Sequence, residues 1–243
     1  MTDLRVVISQ PMYLPWAGFF AQVALADVLI WLDDAQFSKG SFTNRVQVKV
    51  AESIKWLSIP LMASGSFKAI RDLSASKAGW ANAHRALLSQ ALKDRPHRAY
   101  ALSLFDELPS NGPLVDFLIA SAEAPALAMG LRPNRIFRSS ALKVPGNATE
   151  RVLSLVQAVN GTEYITGHGA LAYLNHQLFE ENSIKVSYMD YAPLPWPQGP
   201  GSFTPYVTIL DLLASVGPLQ AQNHLNPQTM EWRYFARVHR EIS

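Results

Sequence analysis

The sequence predicts an α/β fold: a mostly parallel central sheet with an appended antiparallel hairpin and a helical middle layer or subdomain. Three observations carry this. Short apolar runs at 5–9 (RVVIS), 28–32 (VLIWL), 163–166 (EYIT) and 184–191 (IKVSYMDY) alternate with segments of helical period, the pattern of βα units. Residues 42–50 and 54–61, separated by Ala-Glu-Ser, alternate position by position, as a hairpin does. Residues 80–130 are rich in Ala and Leu at helical spacing.

Taken in order, residues 5–9 read as a short buried strand and 17–26 as the helix after it. Residues 28–32 give a second strand, and the polar stretch 33–41, with Gly40 as its turn residue, leads into the hairpin. There Val46, Val48 and Val50 fall on one face and Arg45, Gln47 and Lys49 on the other, so one face is wet. Segments 80–93, 98–108 and 113–130 read as helices, and Pro125 is expected to kink or split the last. Residues 134–142 return to strand-like composition. Asn147 followed by Glu150 resembles a capping box that opens a helix over 148–159, closed by Asn160-Gly161. Strand 163–166, a Gly-His-Gly turn, a helix over 170–182 and strand 184–191 follow. Thr204-Pro205 is an N-cap and first-turn pair for a helix over 206–216, which Gly217-Pro218 ends. The last 25 residues show no clear organisation and read as a partner-facing or mobile tail. The chain is expected to form a single domain over 1–243, with a helical subdomain over 76–132 inserted in it.

Composition narrows the function. With 49% hydrophobic and 16% charged residues the chain can bury a large core and has no disordered character. A net charge of only +2, with no basic run, argues against a DNA or membrane partner. The absence of cysteine removes disulfides, thiolate metal sites and a cysteine nucleophile together. The opening MTDLRVV does not have the layout of a secretory signal, and the apolar stretch 14–32 is interrupted by Gln22 and Asp27. Neither a secretory signal nor a membrane span is therefore expected. No P-loop, dinucleotide fingerprint, nucleophile elbow or zinc motif is present, so no cofactor is expected.

In mostly parallel sheets ligands bind at the carboxyl ends of strands. That rule selects four connections, 9–16, 33–44, 166–170 and 190–204, which also hold the unusual residues. In the first, Pro11 and Pro15 stiffen the loop that carries Gln10 and Tyr13, a hydrogen-bonding amide and a flat ring suited to a sugar. Trp16 beside them reads more readily as core packing. Asp33 and Asp34 end a strand and point to opposite faces, which disfavours a shared metal and leaves one of them as hydrogen-bonding partner or general base. Gln36, Lys39, Asn44 and Arg45 surround those carboxylates. Arg45 could clamp a phosphate or carboxylate, or staple the loop by pairing with Asp33 or Asp34. His168, between Gly167 and Gly169, is a candidate general base in a turn whose amides could hold an anion. The other histidines (His84, His97, His176, His224 and His239) look incidental. Gln198 and Thr204 belong to a proline-rich wall with Asp190, and Asp211 reads as a carboxylate satisfied within the fold. Ser9 lacks the glycines of a nucleophile elbow.

These loops resemble the WbqC-like family. The resemblance lies in ISQPMYLPWAGFFAQVALADVLIWLDDAQFSKGSFTNRVQVK, WLSIPL, YITGHGALAYLNHQLFE, VSYMDY and FTPYVTILDLLASVGP, covering roughly 6–62 and 148–218. It implies a cytoplasmic bacterial enzyme of glycoconjugate, O-antigen or natural-product biosynthesis, moving an acyl or aminoacyl group onto the amine of an amino sugar or small metabolite. Many relatives in that family carry a histidine where this chain has Ser9; if that histidine is the catalytic base, the resemblance implies that the role falls here on His168 or Asp34. The expected partners are a small-molecule acceptor and an activated acyl donor, such as a carrier thioester or aminoacyl ester. A non-catalytic nucleotide-sugar binding protein is the alternative. A metal-assisted hydrolase is the third, and would need the Asp pair as ligands.

Overall fold

Residues 3–62 and 67–240 are described in the structure, a computed structural model. Among them, strands β1 (Arg5–Ser9), β2 (Val28–Trp31), β5 (Arg135–Arg138), β6 (Glu163–Thr166), β7 (Lys185–Tyr191) and β8 (Pro227–Glu231) form one six-stranded sheet. Its order is β5-β2-β1-β6-β7-β8, parallel throughout except for β8, which runs antiparallel to β7. Strands β3 (Arg45–Val50) and β4 (Ser53–Ser58) pair separately as an antiparallel hairpin. The α/β architecture read from the sequence is thus the one observed. Setting the hairpin aside, the chain visits the sheet in the order of a doubly wound fold, with the reversal between β1 and β6.

The central strands are buried on both faces, as parallel strands between helical layers must be: all four residues of β2 and of β6 are inaccessible. One apolar cluster joins α1 (Ala17–Ala24), α2 (Trp80–Ala91), α3 (Arg98–Asp106), α4 (Leu114–Ala128) and α8 (Ile209–Val216) to one side of the sheet and to Val46 and Val48 of the hairpin. A second cluster joins residues of α6 (Ala148–Ala158), α7 (His176–Glu181) and α10 (Trp232–Arg240) around Val6, Ile30 and Val186.

Several local expectations are corrected. Helix α4 runs through Pro125 without dividing. Residues 134–142 hold only the four-residue strand β5, after which Ser139–Leu142 forms the short helix α5. The Asn147 side chain makes no capping hydrogen bond, so the capping box does not form. The helix expected over 170–182 breaks at Tyr173: a 3-10 turn spans His168–Ala172, and α7 starts afresh behind Asn175, whose Oδ1 accepts from the Leu178 amide at 3.2 Å. The helix after the proline-rich loop is capped by Thr208 rather than Thr204. The wet face of the hairpin is covered only in part: Lys49, 3% exposed, donates to Ser202 O at 2.8 Å, while Ile54 and Trp56 on the same face stay exposed. The C-terminal stretch is organised too. Helix α9 (Pro218–Ala221) follows α8, β8 closes the sheet, and α10 lays Phe235 on Tyr188 with ring centroids 4.3 Å apart.

Candidate functional site

The reversal of strand order leaves a crevice at the carboxyl ends of β1 and β6, because the connections leaving these two strands depart to opposite sides. A cleft of about 500 Å³ opens there. Trp16, Gly18, Phe19 and Gln22 of the β1–α1 segment form one wall, Gly167, His168 and Gly169 after β6 another. Met189 and Tyr191 of β7, with Pro193, Pro205 and Tyr206, complete it. The aromatic rings make a continuous surface: the Trp16 ring lies 5.7 Å from Tyr191 and 5.4 Å from Tyr206. Trp16 is wedged, since a Cβ on Gly18 would stand 2.1 Å from the indole. A glycine is required there by close approach and not by backbone angle.

Two of the residues lining this cleft stand out for their polar groups. The Tyr191 hydroxyl is buried and makes no hydrogen bond among the described residues. Burial pushes it up to about 12, with Tyr206 adding to the effect, so it is a neutral donor at any physiological pH. His168 packs edge-on against Phe235 at 4.5 Å and His239 at 4.3 Å. Partial burial lowers its pKa, the neighbouring His239 lowers it further, and Asp190 opposes them. A neutral imidazole near pH 7 is the form that accepts a proton. Gln22 donates to Ile165 O at 3.2 Å and so ties α1 to the floor.

A second cleft, of about 410 Å³, lies beyond the turn that follows β6 and is lined by Asp34, Gln36, Asn147, Arg151 and Tyr173. Asp34 is therefore separated from His168. Its Oδ1 accepts from Ser139 Oγ at 2.5 Å and its Oδ2 from Arg151 Nη2 at 2.7 Å. Arg151, not Arg45, is the partner of this acidic loop. Asp33, 2% exposed, accepts from the Ser140 amide at 3.0 Å, from Ser140 Oγ at 2.6 Å and from Ser139 Oγ at 3.1 Å. It holds the start of α5 and is out of reach of a substrate.

The remaining candidates are dispersed. Tyr13 is wholly buried, with its hydroxyl 2.9 Å from His84 Nδ1 and its ring against Trp80 and Phe117, so it is a core residue. Gln10 is half-buried and lines neither cleft. Lys39 is exposed. Asn44 donates to Ile59 O at 2.9 Å within the hairpin base. Arg45 donates to Gly40 O and stacks 4.3 Å over the Trp56 ring. Gln198 and Thr204 satisfy each other: Nε2 donates to Thr204 O at 2.7 Å and Oε1 accepts from its amide at 3.0 Å. They staple the proline-rich loop. Asp211, 1% exposed, accepts from Trp196 Nε1 at 2.8 Å, as a carboxylate satisfied within the fold does. Ser9 Oγ merely donates to Gln10 O at 3.1 Å.

Sequence reasoning missed Tyr191, Tyr206, Phe235, His239 and Arg151, and set Trp16 aside as core. Tyr191 was within reach of the strand-end rule, being the last residue of β7. Phe235 and His239 were not, because they arrive from a C-terminal helix with no sequence contact to the turn they cover. Among the described residues no group of three or more His, Asp or Glu side chains could hold a metal ion. No helix among them is long and apolar enough to cross a membrane. A third cavity, of about 470 Å³ beneath α4, is lined mostly by apolar side chains, and its Glu123 is occupied by Trp31 Nε1 at 2.8 Å.

The chain is similar over 220 residues, at 31% identity, to the uncharacterized protein Rv1507c of Mycobacterium tuberculosis, covering 88% of this chain and 94% of that protein. No solved structure matches it. The profile of the WbqC-like protein family matches residues 10–223, a span that holds both clefts described above and every strand of the sheet except β1 at its start and β8 at its end. By that match the chain belongs to the WbqC-like protein family.

Proposed function

We propose that this protein is a cytoplasmic transferase that moves an acyl or aminoacyl group to an amine of an amino sugar or small metabolite, with the switch-point cleft as its acceptor site and His168 as the base. The observation that carries the reading is the pairing, in one cleft, of an imidazole held below its ordinary pKa with an aromatic wall that includes Tyr191, whose buried hydroxyl has no partner among the described residues. An amine attacks only as the free base. In the proposed step its lone pair forms the new C–N bond to the acyl carbon while the imidazole takes the N–H proton. The bond to the donor sulfur or oxygen then breaks, and the leaving group recovers that proton. Trp16, Tyr191 and Tyr206 suit a sugar ring, which stacks on aromatic faces and hydrogen bonds at its edge. Apart from His168 the cleft lining carries no cationic side chain, which favours a neutral or ring-bearing acceptor over a phosphate.

Mass-spectrometric screening of amino sugars and their nucleotide conjugates against acyl donors tests the reading. An acylated product from the wild type, reduced at least a hundredfold in His168→Ala with an unchanged melting temperature, is the expected result. Saturable sugar binding with no product from any donor would instead make the protein a binding component of a biosynthetic complex. Wild-type turnover in His168→Ala would remove the histidine from the mechanism.

A further inference from the structure

Beneath the proline-rich loop, away from both clefts described so far, two cations are buried with too few acceptors. Arg95, whose side chain is 11% exposed, reaches Asp211 only at 3.5 Å through Nη2, and its Nε is buried without a hydrogen-bond partner among the described residues. Lys49, 3% exposed, donates to a single backbone carbonyl, Ser202 O. Both charges act on the one buried carboxylate, Asp211, whose other oxygen is taken by Trp196. A cleft of about 280 Å³ opens beside them, lined also by Lys93, Asp94 and Gly199. Three cations (Lys49, Lys93, Arg95) against two carboxylates (Asp94, Asp211) leave one net positive charge at this spot.

The groups lining the cleft do not neutralise it, and Glu52, which packs against Gly201 of the same loop, is exposed and does not line the cleft. Carbonyls at the end of α2 could hold a cation, but those of Leu88, Gln90 and Leu92 already accept from the amides of Leu92, Lys93 and Arg95. The Gln198 amide is spent on Thr204. The Gly199 backbone, at φ +71°, rests against the guanidinium so closely that a Cβ would stand 3.3 Å from Nη1. A buried guanidinium carries five donors and is costly to leave short of acceptors. The space is smaller than the ~300–1,000 Å³ of sites that enclose whole drug-sized ligands, which points to a compact group rich in anionic oxygens.

We infer that Lys49, Lys93 and Arg95 form an anion site for a phosphate or diphosphate group beneath Gly199. The oxygens of such a group complete the hydrogen bonding of Arg95 and offset the surplus charge. This site does not depend on the role given to His168, and its test needs no turnover.

Inorganic diphosphate is titrated into the full-length protein by calorimetry and thermal shift at constant ionic strength, with uridine diphosphate in a parallel arm. Saturable diphosphate binding that stabilises the fold is expected. Tighter binding of uridine diphosphate identifies the group as part of a nucleotide, and equal binding identifies it as free. Lys93→Glu, on an exposed residue, should weaken binding at least tenfold, and Arg95→Lys, which keeps a charge for Asp211 but loses the planar fork, at least fivefold. Lys77→Glu makes the same charge change beyond the opposite end of α2, a helix ~18 Å long, and should bind like wild type. No saturable binding by the wild type overturns the inference. So does equal weakening in Lys77→Glu and Lys93→Glu, or unweakened binding in both Lys93→Glu and Arg95→Lys.

Discussion

The Tyr191 hydroxyl is the group whose state in the free protein is hardest to justify by stability alone. A buried hydroxyl without a partner costs roughly 1–3 kcal/mol of desolvation, and nothing among the described residues returns it. Replacing it with hydrogen should therefore leave the free protein unharmed. Tyr191→Phe is expected to unfold in urea at an unchanged free energy, or one higher by up to ~1 kcal/mol, while affinity for an acceptor found by screening drops about tenfold. A hydroxyl with a purely structural role would give the opposite pattern, lost stability and unchanged affinity. The same reasoning sorts the carboxylates. Asp33 and Asp211 have their oxygens filled by the fold, and Asp34 is tied to Ser139 and Arg151. None is placed as an unpartnered base, which leaves His168 as the group with a titration suited to the task.

At the scale of elements, much of the architecture was legible because it rests on periodicity. Buried parallel strands read as apolar runs, and β1, β2, β6 and β7 fall where those runs do. What was not legible depended on tertiary partners. Pro125 stays inside α4 because propensity yields to a helix buried along most of its length. Lys49 looked wet because nothing in an alternating strand announces that a distant loop will cover it. Strand β8 carries no strong period, and the helical spacing of α10, which sets Trp232, Phe235 and Ala236 on one face, was overlooked although it closes the second apolar cluster and packs against the candidate base. The candidate loops were legible by the strand-end rule, but that rule does not say which side of the sheet each one faces, and the Asp34 and His168 loops open into different clefts. Phe235 joins these two roles of α10, since it is fully buried and touches both Tyr188 and His168. Phe235→Ala should lower the unfolding free energy by ~3–4 kcal/mol in urea. In the same variant, NMR titration should show the His168 pKa moving up toward its ordinary value as water reaches the ring. Unchanged stability together with an unchanged His168 titration would mean that α10 does not dock as described.

For the whole molecule, the shifted groups make acid sensitivity a property of particular residues. His84, buried beside Tyr13, is pushed down to about 4 from 6.5, chiefly by burial. The unfolded chain therefore binds a proton on this histidine between those two values and the folded chain does not, so stability falls as pH falls through that window. His168, lowered mainly by partial burial, acts with the same sign. Asp27, lowered by the Arg5 guanidinium, also loses stabilisation on acidification, but below its unfolded value of 3.8 and so later. Asp211 acts oppositely: burial raises it, so the folded state takes up its proton first and gains relative stability as pH falls. Near pH 5 the unfolded histidine carries a proton that folded His84 lacks, and Asp211 offsets part of that loss wherever its raised pKa leaves it protonated in the folded state alone. Discounted for partial solvent access, the loss from His84 between pH 6.5 and 4 is on the order of 2 kcal/mol. Urea unfolding across pH 8 to 4 should show that decline in the wild type. His84→Gln, which keeps a hydrogen-bonding side chain opposite the Tyr13 hydroxyl but cannot take up a proton, should flatten it. A wild-type profile with no slope between pH 6.5 and 4, or an equal slope in His84→Gln, would place the acid sensitivity elsewhere.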